Sequence, residues 1–163
     1  MLPPLPPYEA LHPLAVHLPI GVLLVAWLPM LIGVLDRKRR HTWFACGAVL
    51  LLIGVASLLL AVMTGQAAER IVGSPTREIA DAITAHGVLA IRTRTLFIAV
   101  AVLYMIAWLL YAKAQPKREG VVLVVGCVVV SVMYILALVG LINTGHAGGV
   151  LVHTHGVRAP VLE

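Results

Sequence analysis

The chain has 163 residues, 61% of them hydrophobic and only 12% charged, against about 45–50% and 25% in soluble domains. Its mean hydropathy is +1.00. Together these values exclude a soluble globular enzyme, a disordered chain and a disulfide-rich secreted scaffold. The formal net charge of +5 counts against a nucleic-acid partner rather than for one. It is gathered in two short clusters, not spread along a groove with interleaved aromatics.

In chain order, Met1 to Tyr8 is Pro-rich and reads as extended. A first membrane span follows over 14–35, with Pro13 suited to a helix first turn and Pro29 expected to kink it. Arg37, Lys38, Arg39 and Arg40 make the first basic loop. The second span covers 43–63 and carries no charge. Residues 75–87 read as a short amphipathic helix on the outer interface. Ile79, Ala82, Ile83 and His86 share one face of it. The third span is expected over 92–112, and Lys113, Lys117 and Arg118 form the second basic loop. The fourth span is 120–142, followed by a Gly-rich tail over 143–163. Each span reaches the roughly 20 apolar residues that a bilayer demands, and membrane strands are shorter with alternating polarity. The fold expected is therefore all-α, a single polytopic membrane domain of four helices. The positive-inside rule puts both basic loops in the cytoplasm and both termini outside.

The two halves repeat. Thr64-Gly65-Gln66-Ala67 closes span two, and Thr144-Gly145-His146-Ala147 closes span four, 80 residues later. Ala26-Trp27-Leu28 and Ala107-Trp108-Leu109 occupy spans one and three. Each half also opens with a histidine, His12 and His86. Two helical hairpins of one ancestral unit, running in parallel, account for this.

Seven histidines stand out in so apolar a chain. Six fall at the outer mouths of the spans: His12, His17, His86, His146, His153 and His155. His41 alone lies beside a basic loop. An ionisable group at membrane depth reads as functional by default. Five residues apart, His12 and His17 point about 140° from each other on a straight helix, so they do not share one metal unless Pro13 and Pro19 break that helix. His153 and His155 are spaced to share one face of an extended strand. Two kinds of ligand suit histidines so placed. One is b-type haem, held by imidazoles from facing helices, with Gly65, Gly87, Gly145, Gly148 and Gly149 leaving room for the macrocycle. Arg92 and Arg94 then pair with the propionates. One haem takes His17 and His86, and a second would take His12 and His155. The other is copper or zinc on the same outer histidines. Cys46 and Cys127 lie in apolar runs without a metal or disulfide pattern. No nucleophile, paired-carboxylate or open metal motif occurs, so catalysis by this chain alone is not expected.

The opening His12-Pro13-Leu14-Ala15-Val16-His17-Leu18-Pro19-Ile20-Gly21 resembles that of an uncharacterised bacterial family of four-helix membrane proteins with HPxxVHFPIG-like starts. The likeness continues at Thr64-Gly65 and His86-Gly87, and closes at Gly148 to Val157, similar to a GGxLVYxHGV-like end. Leu18 stands where Phe is common, and His153 where Tyr is common. The family is a domain of unknown function. The resemblance implies the four-helix architecture and carries over His12, His17, His86 and His155. By association with cytochromes and respiratory modules it implies electron transfer. The expectation is thus an inner-membrane, multi-pass haem subunit near the periplasmic face of a redox complex, with quinone and a periplasmic cytochrome as possible partners. A copper- or zinc-binding protein and a purely structural anchoring subunit are the alternatives.

Overall fold

Three prolines shape the first crossing. A proline lacks the N–H that would bond the carbonyl four residues back, and its ring crowds that carbonyl. In the computed structural model, which describes residues 7–157, the chain opens with one 3₁₀ turn, Tyr8–Ala10. The first crossing then runs as three short helices, α1 (His12–Ala15), α2 (His17–Val25) and α3 (Leu28–Leu35). The breaks fall at Val16, three residues before Pro19, and at Ala26–Trp27, just before Pro29. The Pro-rich stretch 1–6 and the tail beyond Val157 lie outside the described residues.

The other crossings are unbroken: α4 (Arg40–Arg70), α5 (Arg77–Ala112) and α6 (Pro116–His153). All four crossings are long and apolar enough to span a membrane. Two expectations are corrected. Residues 75–87 are not a separate interfacial helix. Thr76 caps a helix whose hydrogen-bond ladder passes through His86 and on to Ala112. The segment has no proline after Pro75, and one glycine, Gly87, does not stop propagation inside a packed helix. Nor is 143–163 a loop from its start, because α6 continues to His153 despite three glycines. At about 1.5 Å per residue, the 36 residues of α5 and 38 of α6 reach well beyond roughly 30 Å of hydrocarbon.

The crossings form two hairpins. In the first, α1, α2 and α3 pack on α4; in the second, α5 packs along α6; the hairpins meet through α4 against α5 and α2 against α6. Leu23, Leu51, Phe97, Val100, Val130 and Ala137 fill the space between them. Two tyrosines cross this seam. Tyr134 on α6 donates to the Leu23 carbonyl at 2.6 Å, and Tyr104 on α5 donates to the Phe44 carbonyl at 2.9 Å. Leu23 lies one turn before the Ala26–Trp27 break, where the helical ladder lapses. Gly47 makes the other contact possible, since a Cβ there would sit 2.6 Å from the Tyr104 hydroxyl. The outward faces are lined with exposed Leu, Val and Ile, the surface a bilayer solvates.

At the basic end, Asp36 accepts from the backbone N–H groups of Lys38 and Arg39 and from the Trp43 indole. The indole N–H, with those amides and the charge of Arg39, holds the Asp36 carboxyl below its ordinary pKa. Arg40 is only 8% exposed. It donates to the Gly33 and Val34 carbonyls, closing the C-terminus of α3, and to the Tyr111 hydroxyl. Tyr111 in turn donates to Glu119 at 2.6 Å. One buried guanidinium therefore ties α3, α5 and the start of α6 together.

Candidate functional site

Four crossings return the chain to the end where it began, and the histidine-bearing helix ends gather there. His12 is the first residue of α1, and its short helix lies against α4. The His12 Nδ1–H donates to the Ala61 carbonyl at 3.0 Å, with the Thr64 hydroxyl oxygen at 3.3 Å. Thr64 is 1% exposed, and its hydroxyl turns back onto the Leu60 and Ala61 carbonyls, as threonine does inside helices. The imidazole then lies across Gly65, where a Cβ would come within 2.9 Å of Cε1. Only glycine lets the ring approach α4 so closely.

The second hairpin repeats the arrangement with a shift. His86 projects from α5 onto α6, and a Cβ on Gly148 would lie 3.1 Å from its Cε1. Its Nδ1 is buried without a hydrogen-bond partner. The Thr144 backbone is turned toward the ring, four residues before Gly148 as Ala61 is before Gly65. Beneath it, Thr93, 1% exposed, pairs hydroxyl to hydroxyl with Thr144 at 2.9 Å. The two hairpins thus bring their opening histidines face to edge, with ring centroids 6.4 Å apart and planes at 72°.

The remaining expected residues fall elsewhere. His17 is exposed and donates from Nδ1 to the Pro13 carbonyl at 2.6 Å. The break at Val16 turns its ring out of the bundle, so the imidazole meeting His86 is that of His12. His146 and His153 are exposed, and His155 is half-buried. The extended-strand geometry foreseen for His153 and His155 is absent: His153 ends α6 and His155 lies in the following bend. His41 is at the opposite end, accepting from the Trp108 indole at 3.4 Å. Arg92 is exposed and Arg94 half-buried, about 9 and 12 Å along α5 from His86 toward the basic end at the usual helical rise. Gly65 and Gly148 are covered by the imidazoles themselves, whereas Gly87, Gly145 and Gly149 have open space beside them. Cys46 and Cys127 are free thiols. Among the described residues there is no group of three or more His, Cys, Asp or Glu placed to hold a metal ion.

The hydrogen bond from His12 has a chemical consequence. With the proton on Nδ1, Nε2 carries the free lone pair, the tautomer that a ligating histidine needs. A nitrogen binds a metal at about 2 Å, so two imidazoles in line on one ion hold their centroids roughly 6 Å apart. The observed spacing is close to that value, with the rings face to edge. What sequence reasoning missed is the seat. The Thr64-Gly65 pair was visible as a repeat signature, but nothing in it announced that an imidazole lies there with Nδ1 on the Ala61 carbonyl.

No match is found among curated proteins or among solved structures. The family comparison agrees with a membrane protein. A model described as "Predicted membrane protein (DUF2231)" covers residues 8–160, and the chain belongs to that family.

Proposed function

We propose that this chain is a membrane-embedded b-type haem protein that carries electrons, with His12 and His86 as axial donors. The observation behind the reading is the facing pair, 6.4 Å between centroids, with the His12 tautomer set by the Ala61 carbonyl. Donor number favours haem over zinc or copper. A porphyrin supplies four nitrogens and needs two from the protein, whereas structural zinc takes four protein ligands and catalytic zinc three. Arg92 and Arg94, about two turns from His86, are the cations nearest in sequence on α5 for two propionates. In the orientation set by the basic loops, Arg37 to Arg40 and Lys113 to Arg118 face the cytoplasm, and the pair sits at the periplasmic face of the inner membrane. Electrons then pass between a membrane quinol and a periplasmic carrier, within a larger complex.

The test is optical. Protein purified from the membrane with haem supplied gives a Soret band that shifts on reduction and an α-band near roughly 560 nm, as b-type haems do. A featureless spectrum with copper or zinc in elemental analysis overturns the reading in favour of a metal site.

A further inference from the structure

The basic end of the bundle carries six exposed cations, Arg37, Lys38, Arg39, Lys113, Lys117 and Arg118. Its two carboxylates are already engaged. Asp36 accepts from two backbone N–H groups and the Trp43 indole, and Glu119 accepts from Tyr111 and lies 4.0 Å from Arg40. Among the described residues, none of the six exposed cations forms an ion pair. A basic cluster of this size beside spanning helices attracts lipid headgroups of opposite sign. Two apolar recesses lead down α6 from this end. One is a cleft between the hairpins, walled by Met30 of α3, Trp108 of α5, and Val122, Gly126 and Cys127 of α6. It remains open because α6 packs on the first crossing chiefly through α2 rather than α3. The other is a groove on the outward face of α6, over Gly120, Val121 and Val124, with Lys117 at its head. A Cβ on Gly120 would meet nothing, so the groove starts directly below Lys117. Arg118 precedes Val122 by four residues, on the helix face that continues to Gly126. It therefore stands at the head of the cleft as Lys117 stands at the head of the groove.

We infer that the first turn of α6 seats an anionic phospholipid, with its phosphate between Lys117 and Arg118, one acyl chain in the cleft and the other along the Gly120 groove. Charge and lining select this occupant together. The polar groups in the cleft walls are spent: the Tyr104 hydroxyl donates to the Phe44 carbonyl and the Trp108 indole to His41. The walls thus favour a hydrocarbon chain over a polar ring, which would leave its own donors and acceptors unpaired. The unpaired cations above call for a negative head. A two-chain anionic lipid meets both demands in one molecule. The surface lies at the end opposite His12 and His86, so the inference does not rest on the haem reading.

The experiment places the full-length protein in phosphatidylcholine vesicles doped with phosphatidylglycerol brominated on its chains, or with brominated phosphatidylcholine as the neutral reference. Bromine quenches an indole it touches, and Trp108 is the reporter in the cleft wall; Trp108→Phe identifies its share of the emission. The expected result is an apparent affinity of the anionic lipid about fivefold or more above that of the neutral one, the effect of one interfacial cation or more. Lys117→Gln with Arg118→Gln brings the two lipids level, whereas Arg77→Gln at the other end leaves the preference in place. Val122→Phe fills the cleft and removes the excess quenching. Inorganic phosphate, added against chloride at equal ionic strength, leaves the quenching unchanged. Equal quenching by the two lipids in the parent chain overturns the inference. So does a preference that survives the Lys117 and Arg118 substitutions, an excess that survives Val122→Phe, or an excess that inorganic phosphate abolishes, since the site would then take a free anion.

Discussion

The smallest feature that matters is a missing methyl group. Gly65 lets the His12 ring lie against α4, with Cε1 2.9 Å from where a Cβ would be. The ring cannot simply move aside, because its Nδ1 is on the Ala61 carbonyl. Gly65→Ala therefore breaks that bond or pushes the ring from its place beside His86. The expected outcome is a folded protein whose haem affinity falls about tenfold or more, measured by haemin titration. His17→Ala should leave the same titration unchanged, since that ring is exposed and bonds only within its own turn. The choice between His12 and His17 was not legible in the sequence. Both carry the same side chain before the same apolar run, and the rotation that separates them depends on where the helix breaks. Prolines at 13, 19 and 29 announce that a break occurs. Which face each short helix then presents is decided by packing on α4, a long-range contact that no local pattern encodes.

At the scale of elements, the hairpins are joined by a few polar ties set in an apolar seam. Tyr134 to the Leu23 carbonyl is one of them, 2.6 Å long and 2% exposed. Tyr134→Phe leaves that carbonyl without its partner and should cost about 1 kcal/mol, read as a lower unfolding midpoint in detergent with haem binding retained. Arg40 is the larger tie. Its ion pair with Glu119 spans 4.0 Å to a side chain that is 46% exposed, a geometry worth little. Its hydrogen bonds to the Gly33 and Val34 carbonyls and to Tyr111 are the part that counts. Arg40→Leu removes all three from a buried site and should cost about 3 kcal/mol, whereas Glu119→Gln should cost under about 1 kcal/mol. Thermal unfolding of the two variants in one detergent checks the order. The sequence showed Arg40 only as one member of a basic run. Its burial follows from its place at the first turn of α4, directly below the open carbonyls of α3, and is a property of the hairpin rather than of the run.

The whole molecule was legible in outline, because the cues for membrane helices are coarse. Four apolar runs, two basic loops and repeated ends led to two hairpins of spanning helices, and four such crossings are present among the described residues. The overhang of α5 and α6 was not legible. Glycines and charges around 75–92 and glycines around 143–149 read as breaks, yet α5 and α6 run through them, packed on each other. That overhang carries His86 up to meet His12 and sets Gly148 against it. The architecture thus converts two duplicated histidines into one shared pair across the hairpin boundary. The central claim is that this pair, and neither His17 nor the tail histidines, holds a haem. The most direct measurement is haem content, by reduced-minus-oxidised absorbance per mole of protein, in the parent chain and in His12→Ala, His86→Ala, His17→Ala and His153→Ala/His155→Ala. The account predicts about one haem in the parent, retained in the last two variants, with haem lost on removing His12 and six-coordinate character lost on removing His86. Full occupancy with an unchanged spectrum in both His12→Ala and His86→Ala would contradict it.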